Sequence, residues 1–119
     1  MPPSQRAPES FLPLKPIELL VLTVLSERAR HGYGIREDIL EQTKGQVSIE
    51  AGNLYRHLRG LEDDALIDTA PAPRTETDER RIYYRLTPLG RRVLAAELVR
   101  LRSLVRLAEE RGIIARSRA

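Results

Sequence analysis

The stretch "PIELLVLTVL", Pro16 to Leu25, restricts the fold more than any other part of the sequence. Ile17, Leu19, Leu20, Val21, Leu22, Val24 and Leu25 leave a helix almost no polar side. A helix that is apolar all round is buried, and Pro16 suits the first helical position. The expectation is a central core helix over residues 16–28 with the other elements wrapped around it. The run contains Glu18 and is much too short to span a bilayer, so no membrane role is expected.

The elements that follow are short and well punctuated. In "RHGYGIREDILEQTKGQ", Ile35, Ile39 and Leu40 give a helical stripe and Gly45 a stop, which predicts a second helix over about residues 33–43. "VSI", Val47 to Ile49, has the β-branched alternation of a very short strand. Leu54, Leu58, Leu61 and Ala65 recur at i, i+4, i+7 and i+11, so "EAGNLYRHLRGLEDDAL" reads as a third helix with one buried stripe. "LIDTA" and "RIYYRL" are rich in strand formers. The charged "PAPRTETDER" between them is too long for a tight turn and reads as a protruding loop. Thr87 and Pro88 then open a last helix that Gly112 closes, roughly 24 residues or about 36 Å at 1.5 Å per residue.

This order gives a fold that is mostly α with a small β-hairpin, a winged helix-turn-helix. Residues 1–15, rich in proline and without the apolar core of a signal peptide, read as a flexible N-terminal arm. The winged domain is expected over 16–86, a C-terminal dimerisation helix over 87–111 and a basic tail over 112–119. A chain of this size buries only about 65% of its unfolded surface, so further burial through self-association would help it.

Charge narrows the function. The chain carries 20 Lys and Arg against 17 Asp and Glu, and Lys15 and Lys44 are the only lysines. Arginine forks phosphate and guanine bidentately, which suits nucleic acid; a genome that favours arginine codons would give the same composition. On the third helix, the side opposite the leucine stripe presents Gly52, Arg56 and Arg59, flanked by Asn53 and Tyr55. Asn pairs with adenine and Arg with guanine or phosphate. Glu62, Asp63 and Asp64 would tilt the far end of this helix away from DNA. Arg74, Arg80 and Arg81 lie on or beside the hairpin, within reach of the sugar-phosphate backbone, although Glu76, Asp78 and Glu79 nearly balance them.

The last helix carries a different pattern. Leu94, Leu98, Leu101, Val105 and Ala108 are spaced four, three, four, three, a heptad seam that Leu104 widens. A second copy of the chain is the economical cover for it, and a homodimer also sets two readers about one helical turn apart on a palindrome. Catalysis is not expected. Cysteine is absent, the two histidines lack metal-ligand spacing, and there is neither a Gly-rich phosphate loop nor a Gly-x-Ser-x-Gly elbow. No metal and no cofactor are expected.

Four segments, "HGYGI" (31–35), "GNLYRHLRGLE" (52–62), "LI" (66–67) and "DERRIYYRLTPLG" (78–90), resemble in order and spacing the PadR family of bacterial transcriptional regulators. The resemblance covers about residues 16–108. It implies a dimeric winged helix-turn-helix repressor whose C-terminal helix forms the dimer interface; some members release DNA when a phenolic acid or hydrophobic drug binds. By position, Tyr33 and the segment Gly52 to Tyr55 fall in the DNA-reading half, and Arg80, Arg81 and Tyr83 in the wing strand. The chain departs from the pattern in having Glu50-Ala51-Gly52-Asn53 where the family has Ser-Pro-Gly-Thr, Ala65 where a glycine is usual, and no tryptophan.

The sequence reading is therefore a cytoplasmic, homodimeric repressor that binds double-stranded DNA. Two alternatives stand beside it: a winged-helix protein-interaction module without DNA binding, and a repressor governed by an apolar or aromatic small-molecule effector at the dimer interface.

Overall fold

The structure is a computed structural model that describes residues 6–118. Pro16–Leu25 forms α1 and Arg30–His31 a two-residue strand β1. Gly32–Gln42 forms α2 and Ala51–Asp63 α3; Ile67–Ala70 and Tyr83–Leu86 are β2 and β3, and Pro88–Glu110 is α4. The strands make one antiparallel sheet in the order β1-β3-β2, with His31 opposite Tyr83 and Ala70 opposite the same residue from the other side. Four helices with this small sheet are a winged helix.

The core forms where α1, α2 and α3 cross beneath the sheet. Val21 and Leu22 of α1 are fully buried with Ile35 and Ile39 of α2 and with Leu54, Leu58 and Leu61 of α3. Their spacing matches the helical period, which turns one stripe of each helix inward. α1 stops at Leu25 rather than residue 28, because the chain must be extended by Arg30 to pair with β3.

Val47–Ile49 is not a strand. Its polar backbone groups bond to side chains instead: Val47 N–H donates to Thr43 Oγ1 at 3.0 Å, and Arg36 Nε donates to the Ile49 carbonyl at 2.8 Å. The third strand is Arg30–His31, a pair too short to carry an alternating pattern.

α3 ends in a left-handed residue. Ala65 has φ 60°, and Leu66 N–H reaches back to the Leu61 carbonyl at 2.9 Å, which closes the helix. α4 starts against the same corner. Thr87 Oγ1 accepts from Gly90 N–H at 2.9 Å and donates to the Ala65 carbonyl at 2.6 Å. A side chain on Gly90 would strike the Leu66 carbonyl, so this close crossing requires glycine.

The flexible arm expected over residues 1–15 is corrected in part. Residues 1–5 lie outside the described residues, but Pro8–Phe11 forms a turn of 3-10 helix, and Phe11, Leu12 and Leu14 pack on the core. Glu97 of α4, 1% exposed, accepts from Leu14 N–H at 2.7 Å and from Arg100 Nε at 2.5 Å. A buried carboxylate needs such partners. The apolar "FLPL" supplies the burial that holds this segment down.

Candidate nucleic-acid interface

α3 is amphipathic. Its leucine stripe is buried, and the opposite side presents Gly52, Tyr55, Arg56 and Arg59 to solvent with Asn53 half-buried beside them. Arg56 Nη2 donates to Asn53 Oδ1 at 3.4 Å, one turn back on the helix. Arg59 has no ion pair among the described residues. Glu50 precedes the helix without a side-chain cap bond, and its Oε1 lies 3.8 Å from where a Cβ on Gly52 would sit.

The start of α2 lies against this surface. Tyr55 reaches across so that its hydroxyl sits over Gly32, where a Cβ would come within 2.7 Å of it. A side chain at position 32 would push the Tyr55 ring aside. Tyr33, 55% exposed, stands beside it, and together with His31, Arg81 and Ile82 the two tyrosines line an open cleft of about 390 Å³. α3, the α2 start and the wing root therefore share one face.

The wing is ordered by its acidic residues. Glu76 Oε1 accepts from the Tyr83 hydroxyl at 2.6 Å and from Arg81 Nη1 at 3.4 Å, while Oε2 accepts from Asp78 N–H at 3.1 Å. These bonds, led by the Tyr83 hydroxyl, hold the Glu76 carboxyl at a pKa of about 2. Asp78 takes the Arg80 backbone N–H at 3.0 Å and its Nε at 3.3 Å. Arg80 is nevertheless 92% exposed, and Arg74 is exposed on the loop. Arg85 pairs across the hairpin with Asp68 at 2.8 Å.

Arg81 points inward more than its neighbours. Besides Glu76, it lies 3.1 Å from His31 Nε2 and 6.0 Å from the Tyr33 ring centroid. The sequence reading missed both halves of this arrangement. For His31 the sequence showed only a lack of metal-ligand spacing, and for Glu76 only a charge that balances the arginines. The signal for His31 was its position just before the glycines that open α2.

α4 divides at its middle. Leu94, expected at a dimer seam, is 5% exposed and belongs to the core of its own domain with Leu89 and Val93. It is too close to the helix start to clear the domain. Beyond Glu97 the same side of the helix continues as Leu101, Leu104, Val105 and Ala108. There Leu104 is 54% exposed and Val105 48%, with Leu98 at the edge of the stripe 46% exposed.

Among the described residues there is no group of three or more His, Asp or Glu that could hold a metal, and no helix is long and apolar enough to cross a membrane.

Comparison with known proteins identifies the family and the fold. Residues 21–96 match the family described as transcriptional regulator PadR-like. An uncharacterised protein of Lysinibacillus sphaericus is 30% identical over 84 residues, covering 71% of this chain and 75% of its own. A PadR family transcription regulator from Clostridium difficile superposes with a TM-score of 0.67 at 22% identity, over 79% of this chain and 95% of that one. PadR of Bacillus subtilis in complex with operator DNA superposes with a TM-score of 0.61 at 23% identity, over 73% of this chain and 49% of that longer one. The two structural likenesses concern the fold.

Proposed function

The chain belongs to the PadR-like family of transcriptional regulators, and from that premise we propose that it is a sequence-specific DNA-binding repressor acting as a homodimer on a palindromic operator. The observation that carries the reading is the exposed side of α3, where Gly52, Asn53, Tyr55, Arg56 and Arg59 stand opposite three buried leucines. A helix of this kind fits the major groove, with its N-terminal residues at base edges. Tyr33, Arg74, Arg80 and Arg81 flank it and supply backbone contacts, which position the protein without reading sequence. The relative from Bacillus subtilis is a complex with operator DNA, which supports the same use of the fold.

Self-association accounts for α4. Leu98, Leu101, Leu104, Val105 and Ala108 form a stripe that a second α4 covers, while Leu94 stays within its own domain. Pairing there fixes the separation of two α3 helices, and two half-sites about one helical turn apart are the match for it. Such a role places the protein in the cytoplasm, within reach of the chromosome.

Selection of bound fragments from genomic DNA, followed by gel shift on the enriched sequence, tests the proposal. A palindromic site bound at nanomolar protein supports it. Retention of random and selected DNA alike, or of neither, overturns it in favour of an interaction module without sequence reading.

One cavity favours a refinement. A shallow, open recess of about 580 Å³ between the N-terminal turn and α4 is lined by Glu9, Leu12, Ala95, Ala96, Val99 and Arg100. An apolar or aromatic effector would fit it, and a thermal-shift screen with such compounds reads out binding directly.

A further inference from the structure

His31 sits where three elements meet. It ends β1, caps α2 and lies against β3. Its Nδ1 accepts from Gly34 N–H at 2.9 Å, satisfying one of the open donors at the α2 start. Its Nε2 is 3.1 Å from Arg81 Nη1. The ring stacks on Tyr33 with centroids 6.3 Å apart and meets Tyr83 edge-on at 5.2 Å.

Both polar neighbours of the ring are donors. A neutral imidazole has one lone-pair nitrogen, so one tautomer serves the Gly34 amide and the other serves Arg81. An imidazolium serves neither. It would set an N–H against the amide on one side and against a guanidinium on the other.

We propose that His31 is a positioning residue for DNA binding: its neutral ring caps α2 through Nδ1 while packing edge-on against Tyr83 of the wing, and protonation breaks this clasp, sets a second cation beside Arg81 and weakens the grip on DNA. The inference rests on the DNA-binding reading above and adds a regulated element to it. Four charged groups face the ring. Burial first and Arg81 second disfavour its charged form, and Arg30 of its own strand adds to them; Glu76 of the wing and Asp38 of α2 oppose without prevailing, so its pKa lies below 6.5. The folded clasp is therefore complete above pH 6.5 and is lost as pH falls through the lower folded value.

The sign of the effect separates a clasp from simple charge. A proton gained beside a polyanion strengthens binding. The clasp predicts the reverse.

Fluorescence anisotropy with the selected operator duplex at fixed ionic strength, from pH 8 to 5.5, tests this. The variants are His31→Asn, whose Oδ1 takes the place of Nδ1, His31→Gln, whose carbonyl can turn to Arg81, and His57→Gln. The expected result is a wild-type affinity that falls about fivefold as the His31 ring, followed by NMR, takes up its proton. His57→Gln should fall at least as steeply, and the two His31 variants should lose no affinity on acidification. A wild-type affinity that holds or rises in acid, or a fall that persists in both His31 variants, overturns the proposal. If either variant misfolds by circular dichroism, NMR of the wild type decides. A Gly34 amide that shifts with the His31 titration supports the clasp, and one indifferent to it refutes it. Failure of any duplex to bind at pH 8 would sink the DNA-binding reading instead, and the same NMR titration would still judge the clasp.

Discussion

The Tyr83 hydroxyl donates to Glu76 Oε1 at 2.6 Å, so the second wing strand is tied to the loop that the wing projects. Glu76 in turn holds the Asp78 amide and Arg81. The carboxyl has its pKa depressed to about 2, so this tie is complete above the ordinary 4.5 and lost as pH falls through about 2. Tyr83→Phe should therefore speed hydrogen exchange at the amides of residues 76–81 at pH 7 while leaving α1 to α3 protected. Equal exchange in both proteins would show that the loop is held otherwise.

Ala65 adopts the left-handed conformation at φ 60° that closes α3. For a residue with a Cβ this costs about 1 kcal/mol relative to glycine. Ala65→Gly should accordingly stabilise the protein by about 1 kcal/mol, read as a rise of several degrees in Tm. A fall in Tm would mean that the Ala65 methyl group contributes packing larger than the strain.

That residue also shows what was legible beforehand. The departure from a family glycine was visible in the sequence, but its meaning lay in a backbone angle that no side-chain pattern reveals. The helices with one apolar stripe, α2 and α3, were readable because their 3.6-residue period is written in leucines and isoleucines. Arg30–His31 was not, since two residues cannot show alternation and the pairing partner lies more than fifty positions away. Leu94 fits a heptad as well as Leu101 does, and only the extent of the domain beneath α4 separates their surroundings. The face of Arg56 and Arg59 followed from counting around α3, whereas the His31–Arg81 approach depends on how the wing folds back.

The N-terminal segment depends on Glu97, which receives Leu14 N–H at 2.7 Å. Arg100 holds this carboxyl below its usual range, so the anchor persists above pH 4.5 and is lost as pH falls through that depressed value. Glu97→Gln should leave α4 helical yet make cleavage by chymotrypsin at Phe11 several-fold faster at pH 7. An unchanged cleavage rate would show that the apolar contacts of Leu12 and Leu14 suffice alone.

Two leucines on α4 should behave oppositely. Leu94→Ala removes a side chain from the core and should cost about 2–5 kcal/mol of folding stability. Leu104→Glu should leave Tm at high dilution nearly unchanged but shift sedimentation from dimer to monomer at micromolar protein. Sedimentation identical to wild type would remove residues 98–108 as the contact.

Arginines on α3 and on the wing should differ in kind. Arg56→Ala should cost about 1–3 kcal/mol on the selected operator and far less on random duplex, because base contacts discriminate. Arg74→Ala should weaken both alike and reduce the slope of log K against log salt by about 0.9, the share of one phosphate. Equal losses on both DNAs for Arg56→Ala would move it from reading bases to holding backbone.

α4 runs for 23 residues from a corner fixed by Thr87 and Gly90 to its exposed end, without a proline or glycine after Gly90 to bend it. It acts as a stiff lever about 34 Å long. Whatever grips the far end fixes the heading of α3 at the near end, with no joint between them to absorb a mismatch. One residue inserted near position 98 would swing the outer leucines about 100° around the axis. The chain would fold as before and aim its arginines somewhere else.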